Sequence, residues 1–279
     1  MIMRLAFVVL AASCFSASVV AMKPSSAPKI VAHRGASHDA PENTLAAFRL
    51  AWEQGADGVE GDFYLTTDNQ IVCIHDKDTK RTAGEKRIVE SSTLQELRLL
   101  EYGAWKDAAF AGEPIPTLDE VIATVPDGKT MVIELKSTLR IIPKLVETLK
   151  RHRDKPIEWL VIAFDAPTVA ELKKQMPDLK VHWLTSFKRS TAVSAYRPSA
   201  PDIATIVKQS KADGVGMQGN RDVIDADFVA GLKGGGCNEF HVWTIDDGRD
   251  AQFFDELGAF GITTNVPAVI GPALRGTAE

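Results

Sequence analysis

The residues that could carry out chemistry are concentrated in one short segment, residues 59–76. Glu60 and Asp62 stand two residues apart, and His75 follows a run of mostly apolar residues. Carboxylates are preferred ligands of hard divalent cations, and a histidine can gain or lose a proton near neutral pH. These side chains could therefore hold a metal ion beside a group that moves protons, provided that the fold brings them together.

A tight turn at residues 68–69 (Asp-Asn) divides this segment in two. Two residues are too few for a parallel crossover, so we predict a β-hairpin. In that hairpin Thr67 lies opposite Gln70. Counting back along both arms places Asp62 opposite His75, which would gather the acids and the histidine in one patch.

Length and composition are those of a globular protein with one large core. The chain has 279 residues, of which 45% are hydrophobic and 25% charged, so one α/β barrel or two medium-sized domains would fit. A net charge of −5 argues against a nucleic-acid partner, because phosphate backbones are bound by basic surfaces. It does not exclude a small anionic substrate, since local charge decides that binding. The oligomeric state is left open.

The N-terminal segment, residues 1–21, has the pattern of a secretory signal peptide. Arg4 provides a short positive region, residues 5–20 are mostly apolar, and Ala21 ends an acceptable cleavage site. An uncleaved membrane anchor is the alternative, but the Pro- and Ser-containing linker at residues 22–29 favours removal. We therefore expect a secreted or periplasmic protein with no stable membrane span after cleavage.

Export would place Cys73 and Cys237 in an oxidising compartment, where cysteines can pair. Cys73 lies in the predicted hairpin, whereas Cys237 follows a glycine run at residues 234–236. We expect two separate thiols rather than a disulfide.

Helices and strands alternate along most of the chain, which predicts an α/β fold of the (β/α)8 TIM-barrel type. Two short apolar strands come first, and six more alternate with helices between residues 118 and 274; eight such units in roughly 250 residues is the size of this barrel. We assign the domain to residues 30–274, with a small insertion at 77–116 that contains a short helix near residues 94–100. Asn43 is the expected N-cap of the first helix. An open, doubly wound sheet is the alternative, but no glycine-rich phosphate fingerprint follows the first strand.

Strand parity predicts which side chains face the inside of the barrel. In the strand at residues 131–135, Glu134 and the following Lys136 point inward, while the alternate residues face the helices. The same reasoning points Glu60 and Asp62 inward. Barrel interiors are normally filled with aliphatic side chains, so these charged residues require a function. They stand at C-terminal strand ends, the face that carries catalysis in this fold.

Three inward carboxylates, Glu60, Asp62 and Glu134, would repel one another and raise their own pKa values. One divalent cation, Ca²⁺ or Mg²⁺, would remove that repulsion. The alternative is a salt-bridge cluster in which Lys136 neutralises Glu134, but one lysine cannot balance three acids. Zinc fits less well, because the histidines would then be ligands and nothing would remain to move protons.

His33 follows the first strand, so it reaches the same rim as His75. Two histidines that flank a metal suit general acid–base catalysis on a phosphodiester, one taking a proton from the nucleophile and the other protonating the leaving alkoxide. Arg34 offers a forked donor for phosphate oxygens, with Lys136 as a second cation, although Arg34 could also be a surface arginine. The remaining histidines are expected to be hydrogen-bonded structural residues: His38, His152, His182 and His241.

A set of motifs in a fixed order resembles the glycerophosphodiester phosphodiesterase family. A single His-Arg-Gly would mean little, but the whole set is specific, and it covers the chain from about residue 30 to residue 269. It consists of Ala32-His33-Arg34-Gly35, Pro41-Glu42-Asn43-Thr44 with Phe48, Glu60-x-Asp62 with Leu65-Thr66 and Asp68, His75-Asp76, Glu134-x-Lys136, Val242-Trp243-Thr244 and residues 261–267.

The resemblance implies a TIM barrel that hydrolyses glycerophosphodiesters to sn-glycerol 3-phosphate and an alcohol. It implies one divalent cation held by Glu60, Asp62 and Glu134, with His33 and His75 as the acid–base pair. Which histidine is the base is not settled by the resemblance, nor is the choice between direct attack by water and a cyclic phosphate.

The resemblance also implies that Arg34 and Lys136 bind the phosphate. Glu42 matches a motif acid near the site, and Trp243 would form an apolar wall for the glycerol carbons, although core packing would also explain that tryptophan. Asn265 stands where the family often has Asp, which leaves its polar role open.

Two alternative functions are compatible with the sequence. The first is a phospholipase-type phosphodiesterase that acts on intact or lyso lipids, for which Trp105 and Phe110 are the candidate membrane contacts in the insertion. The second is a barrel that binds metal or phosphate without catalysis, which the presence of both histidines and all three acids disfavours. Residues 185–221 match little of the family pattern, so the leaving-group side stays unassigned.

Overall fold

Eight parallel strands close into a barrel in the computed structural model, which describes residues 27–276. The ring closes because the first strand pairs with both the second and the last, and one further strand extends the second outside the ring as an antiparallel partner. The predicted (β/α)8 TIM barrel is therefore confirmed. In chain order the strands are β1 (Lys29–His33), β2 (Gly58–Leu65), the antiparallel β3 (Ile71–Cys73), β4 (Thr130–Leu135), β5 (Glu158–Ala163), β6 (Lys180–Thr185), β7 (Gly214–Gln218), β8 (Phe240–Trp243) and β9 (Gly261–Thr264).

Helices follow the barrel strands and pack on their outer faces. Two further short helices, α2 and α3 below, lie in the insertion. The helices are α1 (Leu45–Glu53), α2 (Lys80–Ala83), α3 (Leu94–Leu97), α4 (Leu118–Thr124), α5 (Ile142–Arg151), α6 (Ala166–Gln175), α7 (Ala200–Ser210), α8 (Ala226–Gly234), α9 (Gly248–Glu256) and α10 (Pro267–Arg275).

Helix α1 is capped by Thr44, whose hydroxyl accepts from the Ala47 N–H at 3.2 Å. The prediction of Asn43 as the N-cap was therefore wrong by one residue. Asn43 instead adopts a left-handed φ of 60° and donates from its side chain to Asp62 Oδ2 at 2.8 Å. The side chain of Asn43 thus serves the buried Asp62 carboxylate, and the next residue, Thr44, caps the helix.

Side chains of the barrel strands alternate between two apolar layers, as the parity argument predicts. Along β4, Met131 and Ile133 belong to the large core between barrel and helices. Glu134, on the inward side of the same strand, stands where the apolar filling of the barrel gives way to charge at the C-terminal mouth. That inner filling consists of Val31, Val132, Leu160, Ile162 and Leu184.

β2 and β3 form the predicted antiparallel hairpin, but its register differs by one residue from the prediction. Asp62 lies opposite Ile74, whose N–H donates to the Asp62 carbonyl at 2.9 Å, and not opposite His75. His75 reaches the barrel mouth through the irregular backbone that follows β3.

The difference in register arises in the turn. The Thr66 N–H donates to the Gln70 carbonyl at 2.9 Å, so the loop contains residues 67–69 rather than two residues. Asn69 adopts a left-handed φ of 57°, the conformation that a bulged three-residue hairpin loop requires. Asp68 stabilises the loop by accepting from the Thr66 hydroxyl at 2.6 Å.

Residues 77–116, the predicted insertion, build a small apolar cluster against the hairpin. The helix predicted near residues 94–100 is present as the shorter α3. The cluster joins hairpin and insertion through Val72, Ile74, Val89, Leu97, Tyr102 and Ile115. The arm that carries His75 is therefore supported on its outer side.

The predicted signal peptide, residues 1–21, lies outside the described part of the chain. Within residues 27–276, no helix is both long and apolar enough to span a bilayer. Cys73 and Cys237 are both buried free thiols, as predicted.

Candidate active site

Three carboxylates converge at the C-terminal mouth of the barrel. Glu60 and Asp62 come from β2 and Glu134 comes from β4, whose register sets Asp62 directly beside Glu134. One oxygen from each of the three lies within 4.8 Å of the other two. All three side chains are buried, so their charges are poorly screened by water.

Two cations touch this acidic cluster. Lys136 Nζ lies 2.7 Å from Glu134 Oε1 and 3.2 Å from Asp62 Oδ1. Arg34 Nε lies 3.1 Å from Asp62 Oδ2, and the Arg34 backbone N–H donates to Glu60 Oε2 at 3.0 Å. Two cations cannot neutralise three carboxylates, so one negative charge remains uncompensated.

Burial and the neighbouring charges shift the pKa values of the three acids in different directions. Burial, and next the charges of Asp62 and Glu134, raise the pKa of Glu60 well above its usual range. Burial and then Asp62 raise the pKa of Glu134 to about 7. Burial also opposes ionisation of Asp62, but Lys136 and Arg34 outweigh it and lower the pKa of Asp62 to about 2. Asp62 is thus the carboxylate that stays ionised without further help.

The acidic cluster fits a hard divalent cation. Its donors are carboxylate oxygens, the ligands such ions prefer. Glu60 Oε1 is buried without a hydrogen-bond partner among residues 27–276, so this oxygen has a lone pair to offer. A divalent cation and a singly charged phosphodiester together add one positive charge. This charge cancels the one negative charge of the three carboxylates that Arg34 and Lys136 do not compensate.

His33 is oriented by Asn265. Its Nδ1 lies 2.7 Å from Asn265 Oδ1, while Asn265 Nδ2 donates to Asp246 Oδ2 at 2.6 Å. Because the amide nitrogen faces the carboxylate, the amide oxygen is the acceptor and His33 Nδ1 carries the proton. Burial, and next the charge of Arg34, lower the pKa of His33. His33 therefore presents an unprotonated Nε2, and the open question about Asn265 is answered by a polar role.

His75 is held by a chain of polar contacts that runs back to Arg34. Its Nδ1 lies 2.7 Å from Asp76 Oδ1, and Arg81 Nε donates to Asp76 Oδ2 at 2.8 Å. Arg81 also donates to Glu42 at 2.8 and 2.9 Å, and Glu42 accepts again from Arg34 Nη1 at 3.0 Å. Glu42 thus connects the two sides of the site.

Most of the predicted site residues line one cavity of about 290 Å³. Asp62 is fully buried and Glu42 pairs with Arg34, and neither contributes to the cavity wall. Phe164 meets Trp243 edge to face, with ring centroids 5.7 Å apart, and the two form part of the apolar wall of the cavity. The predicted residues in the wall are His33, Arg34, Glu60, His75, Glu134, Lys136 and Trp243.

Four residues that position the site received no site role from sequence reasoning: Asn43, Asp76, Arg81 and Asn265. Asp76 directly follows His75 in the sequence, and this adjacency could have indicated that it contacts the histidine. The sequence around Arg81 gave no such indication, because the contacts of Arg81 depend on how the insertion folds back. Asn43 looked like a helix cap.

His182 and His241 form a buried pair inside the barrel, and His241 also lines the cavity. Their Nδ1 atoms lie 2.9 Å apart, and His182 Nε2 lies 2.8 Å from Glu239 Oε1. Gly216 makes room for them, since a Cβ there would meet His241 Nε2 at 2.3 Å. Both histidines are hydrogen-bonded, as predicted, and burial lowers the pKa of each.

Three carboxylates that could hold a divalent cation, with two histidines beside them at the mouth of a TIM barrel, are an arrangement that suits a phosphodiesterase. The sequence profile of the Glycerophosphoryl diester phosphodiesterase family matches residues 33–269, and the chain is an enzyme that belongs to this family.

Individual relatives cover nearly the whole barrel. The glycerophosphodiester phosphodiesterase of Caldanaerobacter subterraneus subsp. tengcongensis is 32% identical over 252 residues, covering 86% of this chain and 95% of the relative. The probable glycerophosphodiester phosphodiesterase 1 of Mycobacterium tuberculosis is 31% identical, covering 86% and 90%. Among solved structures, an Oleispira antarctica phosphodiesterase in complex with the product sn-glycerol-3-phosphate superposes with a TM-score of 0.78 at 28% identity, covering 88% of this chain and 96% of that one.

Glu134→Gln should change how the stability of the metal-free protein depends on pH. Between pH 4.5, the ordinary pKa, and about 7, folded Glu134 keeps a proton that the unfolded chain releases. Raising the pH through this window therefore favours unfolding, by on the order of 3 kcal/mol in total. Urea unfolding in chelator at the two pH values should show this loss in the wild type and a smaller one in the variant. Parallel pH profiles would contradict the raised pKa.

Asn265→Ala should lower kcat by at least about tenfold, because His33 loses the acceptor that selects its tautomer. Asn265→Asp keeps an acceptor at that position and should retain most of the activity. Ser37→Ala is the matched control, since Ser37 donates to the same oxygen at 2.9 Å without touching His33. Steady-state kinetics on folded proteins measures the effect, and near-normal kcat in Asn265→Ala would refute the orienting role.

Proposed function

We propose that the chain hydrolyses glycerophosphodiesters to sn-glycerol 3-phosphate and an alcohol, with one divalent cation, Ca²⁺ or Mg²⁺. The observation that carries the proposal is the buried cluster of Glu60, Asp62 and Glu134, whose ligand oxygens lie within 4.8 Å of one another. The substrate class is supported by the product named for the Oleispira antarctica relative.

His33 and His75 would be the acid–base pair. His33 presents an unprotonated Nε2 and has a lowered pKa, so it suits the base that takes a proton from the attacking hydroxyl, whether of water or of glycerol C2. The Asp76 carboxylate, 2.7 Å from His75 Nδ1, orients the ring of His75 at the cavity wall. His75 would then protonate the leaving alkoxide.

Arg34 and Lys136 would bind the phosphate oxygens. In the structure both pair with the acidic cluster, and an ionised, cation-bound cluster keeps them at the cavity wall. A divalent cation held by Glu60, Asp62 and Glu134 would supply charge neutralisation and Lewis-acid activation of the phosphate. Trp243 lines the same cavity and would contact the glycerol carbons.

We also propose a secreted or periplasmic location, supported by the signal-peptide pattern of residues 1–21. The partner is a small molecule, since the net charge of −5 opposes nucleic-acid binding. Sequencing the N-terminus of protein recovered outside the cytoplasm tests the location and should begin at Met22. Recovery of the intact chain in the cytoplasm would contradict it.

Release of sn-glycerol 3-phosphate from glycerophosphocholine should be abolished by chelator and restored by Ca²⁺ or Mg²⁺. His33→Ala and His75→Ala should each lower kcat by about 10²- to 10⁴-fold, because each removes one proton transfer. His152→Ala is the matched control, since His152 bonds Asp119 at 2.6 Å after α5, away from the cavity.

Two outcomes would contradict parts of this proposal. Full turnover in chelator would contradict the requirement for a cation. Full turnover in either histidine variant would contradict the assignment of His33 and His75 as the acid–base pair.

Faster release of product from phosphatidylcholine vesicles than from the soluble diester would favour the phospholipase-type alternative. The insertion exposes Ile88, Leu99 and Trp105, so this comparison of vesicles with the soluble diester is the measurement that decides between the two substrates.

A further inference from the structure

The active-site cavity adjoins a second depression on the same face of the barrel, which we name the side groove. The two spaces share the side chains of Phe164 and Leu184, at the C-terminal ends of β5 and β6. The cavity has a volume of about 290 Å³ and the side groove about 510 Å³. The remaining walls of the side groove are Trp183, Thr185, Ser186, Lys188, Arg197 and Pro198, with Asp202 at its edge.

The loop that borders the side groove is strongly basic. Residues 186–199, between β6 and α7, contain Lys188, Arg189 and Arg197 and no acidic residue, in a chain whose net charge is −5. This local charge is opposite to that of the protein as a whole, and it adjoins the site of a reaction on an anion.

Two of these cations are held side by side. The Lys188 N–H donates to the Arg197 carbonyl at 2.9 Å, and the Arg197 N–H donates back at 2.7 Å, an antiparallel bridge. Residues that face each other in this way direct their side chains to the same side, where like charges destabilise the pair. Both side chains line the side groove. An anion between them would turn this repulsion into attraction.

Local carboxylates compensate this pair only in part. Arg197 Nη1 donates to Asp202 Oδ2 at 2.8 Å, but the same oxygen also accepts from the Ser199 N–H and hydroxyl at the start of α7. Lys188 has no carboxylate within salt-bridge distance in the part of the chain that the structure describes. Its ammonium group is therefore available to a ligand.

We infer that the side groove receives the alcohol part of the diester and selects a headgroup that carries an anionic group of its own, such as a phosphomonoester. The inference rests on the proposed function. Once glycerol and the scissile phosphate fill the cavity, the headgroup must extend beyond it, and the side groove adjoins the cavity at Phe164 and Leu184. Phe164, 47% exposed, offers an apolar surface on the way, and Lys188 with Arg197 meets the anion. A trimethylammonium headgroup would bring a third positive charge to the same place.

A matched pair of substrates tests this inference on the enzyme with its divalent cation in excess. Glycerophosphoinositol and glycerophosphoinositol 4-phosphate differ only by one phosphomonoester. At low ionic strength, kcat/KM for the 4-phosphate should be higher by about fivefold, mainly through KM, and salt should reduce the preference. Equal kcat/KM for the two diesters would overturn the inference.

Lys188→Gln should remove most of this preference and leave kcat on glycerophosphocholine unchanged. Arg189→Gln is the matched control, because it removes the same charge from the adjacent position, where the guanidinium lies 5.0 Å from the Tyr196 ring centroid and does not line the side groove. An equal loss in both variants would mean that only overall loop charge matters, which contradicts a directed contact. Failure to hydrolyse any of the three diesters would contradict the proposed function instead.

Discussion

The concentration of three carboxylates in a buried barrel mouth is the constraint on which the rest of the site depends. β2 and β4 place Glu60, Asp62 and Glu134 within 4.8 Å of one another, where water cannot screen them. Arg34 and Lys136 supply two compensating charges, and the third must come from protons or from a bound cation. Burial, and next the charges of the neighbouring carboxylates, raise the pKa values of Glu60 and Glu134. A divalent cation at this cluster would supply the missing positive charge and favour the ionised form of all three acids.

The same shortage of positive charge explains why so many polar side chains are tied together around the mouth. Asn43 gives Asp62 a neutral donor at 2.8 Å, and Arg34 divides its guanidinium between Asp62 and Glu42. Glu42 in turn needs Arg81, which also holds Asp76. His75 is therefore oriented by a network that begins at the acidic cluster. Because Arg81 belongs to the insertion, the insertion contributes to the site although none of its residues lines the cavity.

Histidines in this protein show how surroundings decide a role. His33 has an amide partner and an open cavity on its other side, so its free nitrogen faces solvent or substrate. His182 lies fully buried between His241 and Glu239, and both of its nitrogens are used. The first arrangement leaves an acceptor for chemistry, whereas the second satisfies polar groups inside the barrel.

Local sequence was sufficient for the barrel and for the charged face. Strand parity is a two-residue period, so the alternation along residues 131–135 already separated inward Glu134 from outward Met131 and Ile133. The alternation of strand and helix patterns predicted the eight strand–helix units, because the spacing of apolar residues in each element shows which of its faces is buried. The family motifs then named the acids, both histidines, Arg34 and Lys136, which the structure brings to one mouth.

Only the tertiary structure decided how these groups are oriented. The hairpin register differs by one residue from the prediction because Asn69, with a left-handed φ, adds a residue to the loop. The residue types of the turn do not determine the backbone conformation at this one position. The pairing of Asn265 with His33, and of Arg81 with Glu42, joins positions 232 and 39 residues apart. The Lys188–Arg197 pair likewise needs the fold of its loop. Sequence determined which side chains reach the barrel mouth, since periodicity is local, and tertiary structure decided which partner each one meets, since that depends on contacts between distant segments.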